Sequence, residues 1–258
     1  MRQAIQIMNP LGEDYSVMRT TSLNGMLTSL ATNYNRRNKN VRLYELGNIY
    51  LPKALPLTEL PDERMQFTLG MYGKGDFFDM KGVVEEFFDQ IGMHKKTEYD
   101  PKAGKTFLHP GRQALISYEG EVMGYLGEVH PAVADTYGIG TRAYVAVLDI
   151  LNVVKHASFD RKYEGIAKFP AVNRDISMVV PKEIMVGQIE HMIAQRGGKI
   201  LEHFELFDIY EGDQIERGFK SVAYSLTFRS KEKTLEEAEI NGAMNKILNG
   251  LEDMGIQL

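Results

Sequence analysis

Apolar positions recur at two different spacings along this chain, and the two spacings sort it into strands and helices. Toward the C-terminus, Ile176, Met178 and Val180 alternate with Asp175 and Ser177, and Val222, Tyr224, Leu226 and Phe228 alternate with Ser221, Ala223, Ser225 and Thr227. Period two predicts strands with one buried and one polar face. A further stretch, Phe204, Leu206, Asp208 and Tyr210, falls on one side by the same count, and a bulge would exchange its sides. Two helix-like stretches accompany these strands. One closes at Gly197-Gly198, where a helix end favours glycine; the other opens at Thr234 with Glu237 as a capping box and runs through Leu251. The order is strand, helix, strand, strand, helix, strand. Two helices cover one face of a four-stranded sheet, so the other face stays open.

The earlier residues read as mixed α and β. Leu23, Met26, Leu27, Leu30 and Tyr34 have helical spacing, as do Val83, Val84, Phe87, Phe88 and Ile91 within a helix from Asp79. Strands are predicted over Val41–Tyr50, Met65–Tyr72 and Tyr144–Ile150, with a hairpin of Ala114–Tyr118 and Glu121–Val129 around Glu119-Gly120. Prolines make Pro52 to Pro61 a loop. Leu151 to Pro170 is polar and connecting, which sets the expected domains at 1–155 and 165–258 of an α+β protein.

Composition narrows the function classes. Of 258 residues, 43% are hydrophobic and 25% charged, as in globular proteins. No apolar run approaches the ~20 residues of a membrane span, and the start lacks a signal-peptide core, so no membrane partner and a cytoplasmic home are expected. The absence of Cys excludes disulfides, thiolate catalysis and Cys-ligated zinc. The formal net charge is −5, against the basic footprint of indiscriminate nucleic-acid binding. Residues 161–258 hold 13 Lys and Arg against 16 Asp and Glu, so any RNA contact there must be local and shaped.

Little in the first domain reads as catalytic. Gly138-Ile139-Gly140-Thr141-Arg142 has the wrong spacing for a Gly-x-Gly-x-x-Arg clamp and runs into a strand, so it reads as a turn with a surface Arg. Arg19 is either a remnant phosphate clamp or an ion-pairing residue at a strand end. Gly70, Gly73 and Gly75 around Lys74 miss the P-loop pattern and read as a turn. The six His residues show no i, i+4 pair, so no metal site is expected. The open face of the second domain is more informative. A base can stack on Tyr210, while Asp208 and Ser221 can discriminate base edges. Lys220, Arg229 and Lys231 are candidate phosphate contacts. The competing reading makes Tyr210 a strand-end aromatic capping the core and Arg174-Asp175 an internal ion pair.

Four islands carry a resemblance: Phe169-Pro170-Ala171-Val172-Asn173-Arg174-Asp175-Ile176-Ser177, Leu206-Phe207-Asp208-Ile209-Tyr210-Glu211-Gly212, Lys220-Ser221-Val222-Ala223-Tyr224 and Lys233-Thr234-Leu235. In this order they resemble the ferredoxin-like, anticodon-binding domain that ends the bacterial phenylalanyl-tRNA synthetase beta subunit. Asn9-Pro10-Leu11, Met18-Arg19-Thr20-Thr21-Ser22-Leu23, Tyr44-Glu45-Leu46-Gly47, Asp79-Met80-Lys81-Gly82, His109-Pro110-Gly111-Arg112 and Gly127-Glu128-Val129-His130-Pro131 resemble the class II synthetase-like domain of the same subunit. The resemblance implies an antiparallel-sheet domain that has lost its chemistry, followed by a βαββαβ domain. It implies a catalytic alpha subunit as partner in an (αβ)2 assembly, tRNA(Phe) as ligand, and ATP and Mg²⁺ for the holoenzyme, with none in this piece. Carried over residue by residue, it assigns Asp208, Tyr210 and Ser221 to the first anticodon base, a guanine.

Two departures follow from the same comparison. The family's domain has a helix and strand before the Asn-Pro, so exposed apolar surface is expected near Ala4–Met8 and the first helix. The family commonly closes with Leu-Arg, whereas this chain ends Gly255-Ile256-Gln257-Leu258, so a contact by that arginine is lost or displaced. The rival from another class is a small-ligand-binding or structural ferredoxin-like module without RNA specificity.

Overall fold

A computed structural model describes residues 4–160, 163, 165–212 and 214–257. The chain divides into two compact units, Met1–Lys162 and Tyr163–Leu258. Both are built on antiparallel sheets with helices, an α+β architecture.

The first unit holds a six-stranded sheet. Its helices and strands are α1 (Leu23–Asn35), β1 (Val41–Leu51), β2 (Asp62–Tyr72), α2 (Phe77–Gln90), β3 (Glu98–Asp100), β4 (Leu108–Tyr118), β5 (Glu121–Val129), α3 (Pro131–Thr136), β6 (Ala143–Asp149) and α4 (Ile150–His156). The sheet order is β1-β2-β6-β5-β4-β3, with every neighbour antiparallel. Leu23, Met26, Leu27 and Leu30 of α1 pack with Ala143 and Val145 on one face; Met80, Val84 and Phe88 of α2 pack with Tyr144, Ala146 and Leu148 on the other. Helices on both faces explain why β6 is a continuous apolar run rather than an alternating one. The β4–β5 turn uses Glu119 at φ 50 and Gly120 at φ 79, the left-handed pair that a two-residue hairpin needs.

Several details differ from the sequence reading. The stretch after Asp149 is not all connecting chain. Asp149 accepts from the N–H groups of Leu151 and Asn152 and caps α4, which buries Val153. Gly70 lies within β2 rather than in a turn; a Cβ there would meet the sulfur of Met26 at 2.6 Å, so glycine lets α1 sit down on the strand. Apolar exposure is found at Ile7 and Met8, as expected, and extends to Leu11, Tyr15 and Val17. It does not extend to the first helix, whose apolar residues enter the core.

The second unit consists of β7 (Val172–Pro181), α5 (Val186–Gly197), β8 (Leu201–Tyr210), β9 (Phe219–Phe228) and α6 (Glu237–Asp253). The sheet order is β7-β9-β8. A fourth strand is reduced to one bridge: the N–H of Val179 donates to Gln257 at 2.8 Å and the N–H of Gln257 donates back at 3.1 Å. This places the chain end beside β7. Ile189, Met192 and Ile193 of α5 and Ile240, Ile247 and Leu251 of α6 meet Ile176, Met178, Val180, Val222, Tyr224, Leu226 and Phe228, so both helices cover one face. Gly198 ends α5 at φ 69. The α6 capping box is Glu236 with Glu239, not Thr234 with Glu237: the Glu239 carboxylate accepts from the Glu236 N–H at 3.1 Å, and Lys233 holds the same carboxylate. Met1 to Gln3, Arg161, Lys162, Glu164, Asp213 and the terminal Leu258 lie outside the described residues.

Candidate nucleic-acid interface

Of two irregularities in β8, at Leu201/His203 and at Leu206/Asp208, the second sets the open face at the Tyr210 end. Leu206 pairs with Tyr224 and Asp208 with Ala223, so β8 advances two residues while β9 advances one. Phe207 is the extra residue of a β-bulge, and the bulge shifts the phase of everything after it. Before it, Phe204 and Leu206 face the helices opposite Leu226 and Tyr224. After it, Ile209 takes the helix side opposite Val222, and Asp208 and Tyr210 turn to the open face opposite Ala223 and Ser221. A straight strand would have sent Asp208 and Tyr210 toward the core with Leu206.

The register lays the open face out in rows across the three strands. Val179, Ser221 and Tyr210 form one row; Ser177, Ala223 and Asp208 form the next. Cross-strand neighbours on one face have Cβ atoms roughly 4.5–5.5 Å apart, so Asp208, Tyr210 and Ser221 lie within reach of a single planar ligand. Tyr210 is 42% exposed, and a Cβ on Gly212 would fall 2.3 Å from its hydroxyl oxygen, so the glycine leaves the ring its place. The side chains of Asp208, Tyr210 and Ser221 have no hydrogen-bond or ion-pair partner among the described residues. A flat ring, an unpaired carboxylate and an unpaired hydroxyl on one surface can stack a base and bond its edge.

The three expected phosphate contacts do not join this group. Lys220 faces the helix side opposite Val180. Arg229 lies beyond the far end of β9, about 27 Å along the strand from Ser221. Its Nη1 bonds Glu202 at 3.3 Å and its N–H bonds the Ile200 carbonyl. Lys231 follows at that same far end. The sequence reading missed Lys182, which directly follows Pro181 of β7 and so reaches the Tyr210 end of the sheet. It bonds Glu211 at 2.6 Å, and that hydrogen bond and charge, with Lys220 near, hold the Glu211 carboxyl below the usual range. Arg174 and Asp175 are not an ion pair. Arg174 bonds Glu237 of α6 at 2.7 Å, and Asp175 stands on the open face opposite Ser225, because neighbours in a strand point to opposite sides.

In the first unit, the motif residues pair with one another. Arg19 bonds the Glu45 carboxylate and, at 2.7 Å, the Asn48 carbonyl, passing over Gly47, where a Cβ would meet its Nη2. Of the two readings of Arg19, this is the ion-pairing one. Arg112 bonds Glu128 through two nitrogens, and Arg142 stands 4.0 Å from the same carboxylate. Arg142 follows the turn at Gly138 and leads into β6. An arginine engaged by a carboxylate and another preceding a strand do not make the guanidinium clamp that a nucleoside triphosphate needs, so these residues do not fit ATP.

Residues 167–258, the sheet with both helices on one face, match the family model described as the ferredoxin-fold anticodon binding domain. Residues 1–150 match the model of the phenylalanyl tRNA synthetase beta chain CLM domain, and the chain belongs to the phenylalanyl-tRNA synthetase beta chain family. It is 44% identical over 252 residues to the phenylalanine–tRNA ligase beta subunit of Clostridium acetobutylicum, covering 98% of this chain and 32% of the relative. It is 42% identical to that of Clostridium tetani, covering 100% and 32%, and 35% identical to that of Bacillus subtilis, covering 95% and 31%. The chain thus spans about a third of the length of these curated relatives.

Proposed function

We propose that this chain is the part of a phenylalanine–tRNA ligase beta subunit that reads the tRNA(Phe) anticodon and braces a catalytic alpha subunit, without catalysing aminoacylation itself. The observation that carries the reading is the bulge at Phe207, which sets Asp208 and Tyr210 beside Ser221 on a surface no helix covers. A base stacks on the Tyr210 ring; the Asp208 carboxylate accepts from the N–H groups of a guanine edge, and the Ser221 hydroxyl bonds a remaining polar atom. Lys182, at that end of the sheet, takes the place of Lys220, Arg229 and Lys231 as the cation for a neighbouring phosphate.

The first unit serves as scaffold. It leaves Met8, Leu11, Tyr15, Tyr44 and Leu46 exposed, and β1 is an edge strand of its sheet. Apolar side chains and an unpaired edge suit cover by another subunit, here the alpha subunit of an (αβ)2 assembly in the cytoplasm. ATP, Mg²⁺ and phenylalanine belong to that partner.

Titration of an anticodon stem-loop carrying GAA into this chain tests the reading, with the first base changed to C as control and with Tyr210→Ala as variant. Preference for G that disappears with Tyr210→Ala is the expected result. Binding that ignores both the first base and Tyr210 would overturn it, since phosphate attraction alone tolerates the base change.

A further inference from the structure

The helix-covered side of the second unit holds a cleft that the reading above does not use. It lies where the end of α5 and the turn Gly198–Ile200 face α6, and its volume is about 230 Å³. Gly197, Gly198, Ala238, Gly242 and Ala243 keep its walls low, and a Cβ at Gly198 or Gly242 would meet no atom within 4 Å. Gly198 stands at φ 69, a backbone form that favours glycine. Four charged side chains line the cleft, Arg196, Lys199 and Lys246 against Glu239. The Glu239 carboxylate is already engaged, by Lys233 at 3.0 Å and by the Glu236 N–H at 3.1 Å. The side chains of Lys199 and Lys246 have no hydrogen-bond or ion-pair partner among the described residues. Arg196 stands 3.6 Å from Asp253, too far for a hydrogen bond. Three cations thus share one recess whose own carboxylate is committed to Lys233 and the α6 cap.

Cations near the end of a helix complement its partial negative charge, which accounts for Arg196 and Lys199 at the close of α5. It does not account for Lys246, which stands in the interior of α6 and lines the same cleft. We propose that this cleft binds a small phosphate-bearing anion, of the size of inorganic phosphate or pyrophosphate. Each lysine offers three donors and the arginine five, and a phosphate group presents several oxygens to accept from them at once. Chloride has no such set of directed acceptors. Size narrows the ligand further. Pockets for drug-sized molecules run to roughly 300–1,000 Å³, so this cleft is too small for a whole nucleotide. No aromatic side chain lines it, so it offers no platform on which a base could stack. The sheet lies between the cleft and the row of Tyr210, which keeps the anion site separate from the anticodon surface.

Inorganic phosphate and pyrophosphate are titrated into the full chain at constant ionic strength, with chloride as the reference, while NMR follows the amide resonances of Gly197, Gly198 and Gly242. Saturable shifts at these glycines are expected with the phosphates and none with chloride. Lys199→Gln and Lys246→Gln are each expected to weaken binding about tenfold, as the loss of a hydrogen bond to a charged group does. Gly242→Leu keeps every charge and puts a better helix former where a Cβ meets nothing, so the fold should hold while the cleft is filled. It is expected to abolish the shifts at Gly197 and Gly198, and circular dichroism checks that each variant is folded. Shifts that grow linearly with any salt, binding unchanged by both lysine variants, or binding that survives Gly242→Leu would reduce the three cations to ordinary surface charge and overturn the inference. A GAA stem-loop that moves these resonances where free phosphate moves none would overturn it too, since an RNA backbone would then occupy the cleft. None of these outcomes bears on base preference at Tyr210, so the two readings stand or fall separately.

Discussion

Gly212 leaves room for a side chain two residues away. A methyl group there would meet the far end of the Tyr210 ring, at 2.3 Å from Oη and 2.5 Å from Cζ, and no backbone atom. The ring can swing aside at little cost, so Gly212→Ala is expected to leave the stability of the second unit within about 0.5 kcal/mol. The ring then no longer stands over the row of Ser221, and stem-loop affinity falls on the order of tenfold, part of a stacking contact. Unfolding curves and the titration together check this; a large loss of stability would mean that the glycine serves the fold instead. Glu128 shows the opposite case, a residue whose partners are all internal. Burial raises its pKa, but the hydrogen bonds and charge of Arg112, with Arg142 near, outweigh burial and hold the carboxyl below its ordinary value. A carboxylate with a depressed folded pKa stabilises the fold fully above its unfolded value of ~4.3 and loses that contribution as pH falls through the folded value. The melting temperature of the first unit is therefore expected to drop below about pH 4.5, and Glu128→Gln to flatten that acid limb. At neutral pH the variant should cost about 1–3 kcal/mol, because Arg112 loses a charged partner yet keeps access to water.

The bulge in β8 makes a prediction about an element rather than a side chain. Phe207 is 57% exposed, so its deletion removes little packing. Without it, Leu206 is followed directly by Asp208, so the pairing runs on from Tyr224 to Ser221 without a bulge and Asp208 and Tyr210 keep their places opposite Ala223 and Ser221 on the open face. A chain lacking Phe207 is therefore expected to keep both its circular dichroism and its base-dependent stem-loop binding. Lost binding would mean that recognition depends on Phe207 itself or on the local twist of the bulge rather than on the phase of the strand. The same element marks the limit of what alternation discloses. The faces of β7 and β9 were legible because Ile176, Met178 and Val180, and Val222 through Phe228, alternate without a break. Along β8 the run Leu206, Phe207, Ile209 and Tyr210 gives apolar residues to both phases, so a period-two count cannot tell which residue is extra. Cap choice was equally open at α6: Thr234, Glu236, Glu237 and Glu239 allow more than one box, and only the position of Leu235, buried before the helix starts, decides among them. Helix α4 escaped because seven residues are too few to show a helical period. Its start signal, Asp149 before Ile150, was present. The motif residues of the first unit were legible as islands, but their pairing across β4 and β5, or from Arg19 to β1, is a matter of register that linear spacing does not contain.

At the scale of the molecule, the proposed division of labour can be cut apart. Each unit closes its own core: the clusters around α1 and α2 draw only on residues before Lys162, and the cluster around α5 and α6 only on residues after Tyr163. Between α4 and β7 there is no helix or strand among the described residues, and Tyr163 and Ile166 are 89% and 92% exposed. Limited trypsin digestion is thus expected to cut first at the exposed Lys168, leaving a C-terminal piece that begins before β7. This piece carries 15 acidic side chains, so it is no general RNA trap, and its binding must come from the open face. If that face reads bases as proposed, the purified piece keeps the G preference of the whole chain, and the N-terminal piece shows none. The salt dependence supplies a second measure. Few cations lie at the margin of the face, so the slope of log affinity against log salt should be shallow, about one counterion from Lys182. A steep slope, or a G preference lost on separation of the units, would mean that residues of the first unit share the RNA, and the assignment of reading to one unit and support to the other would have to be abandoned.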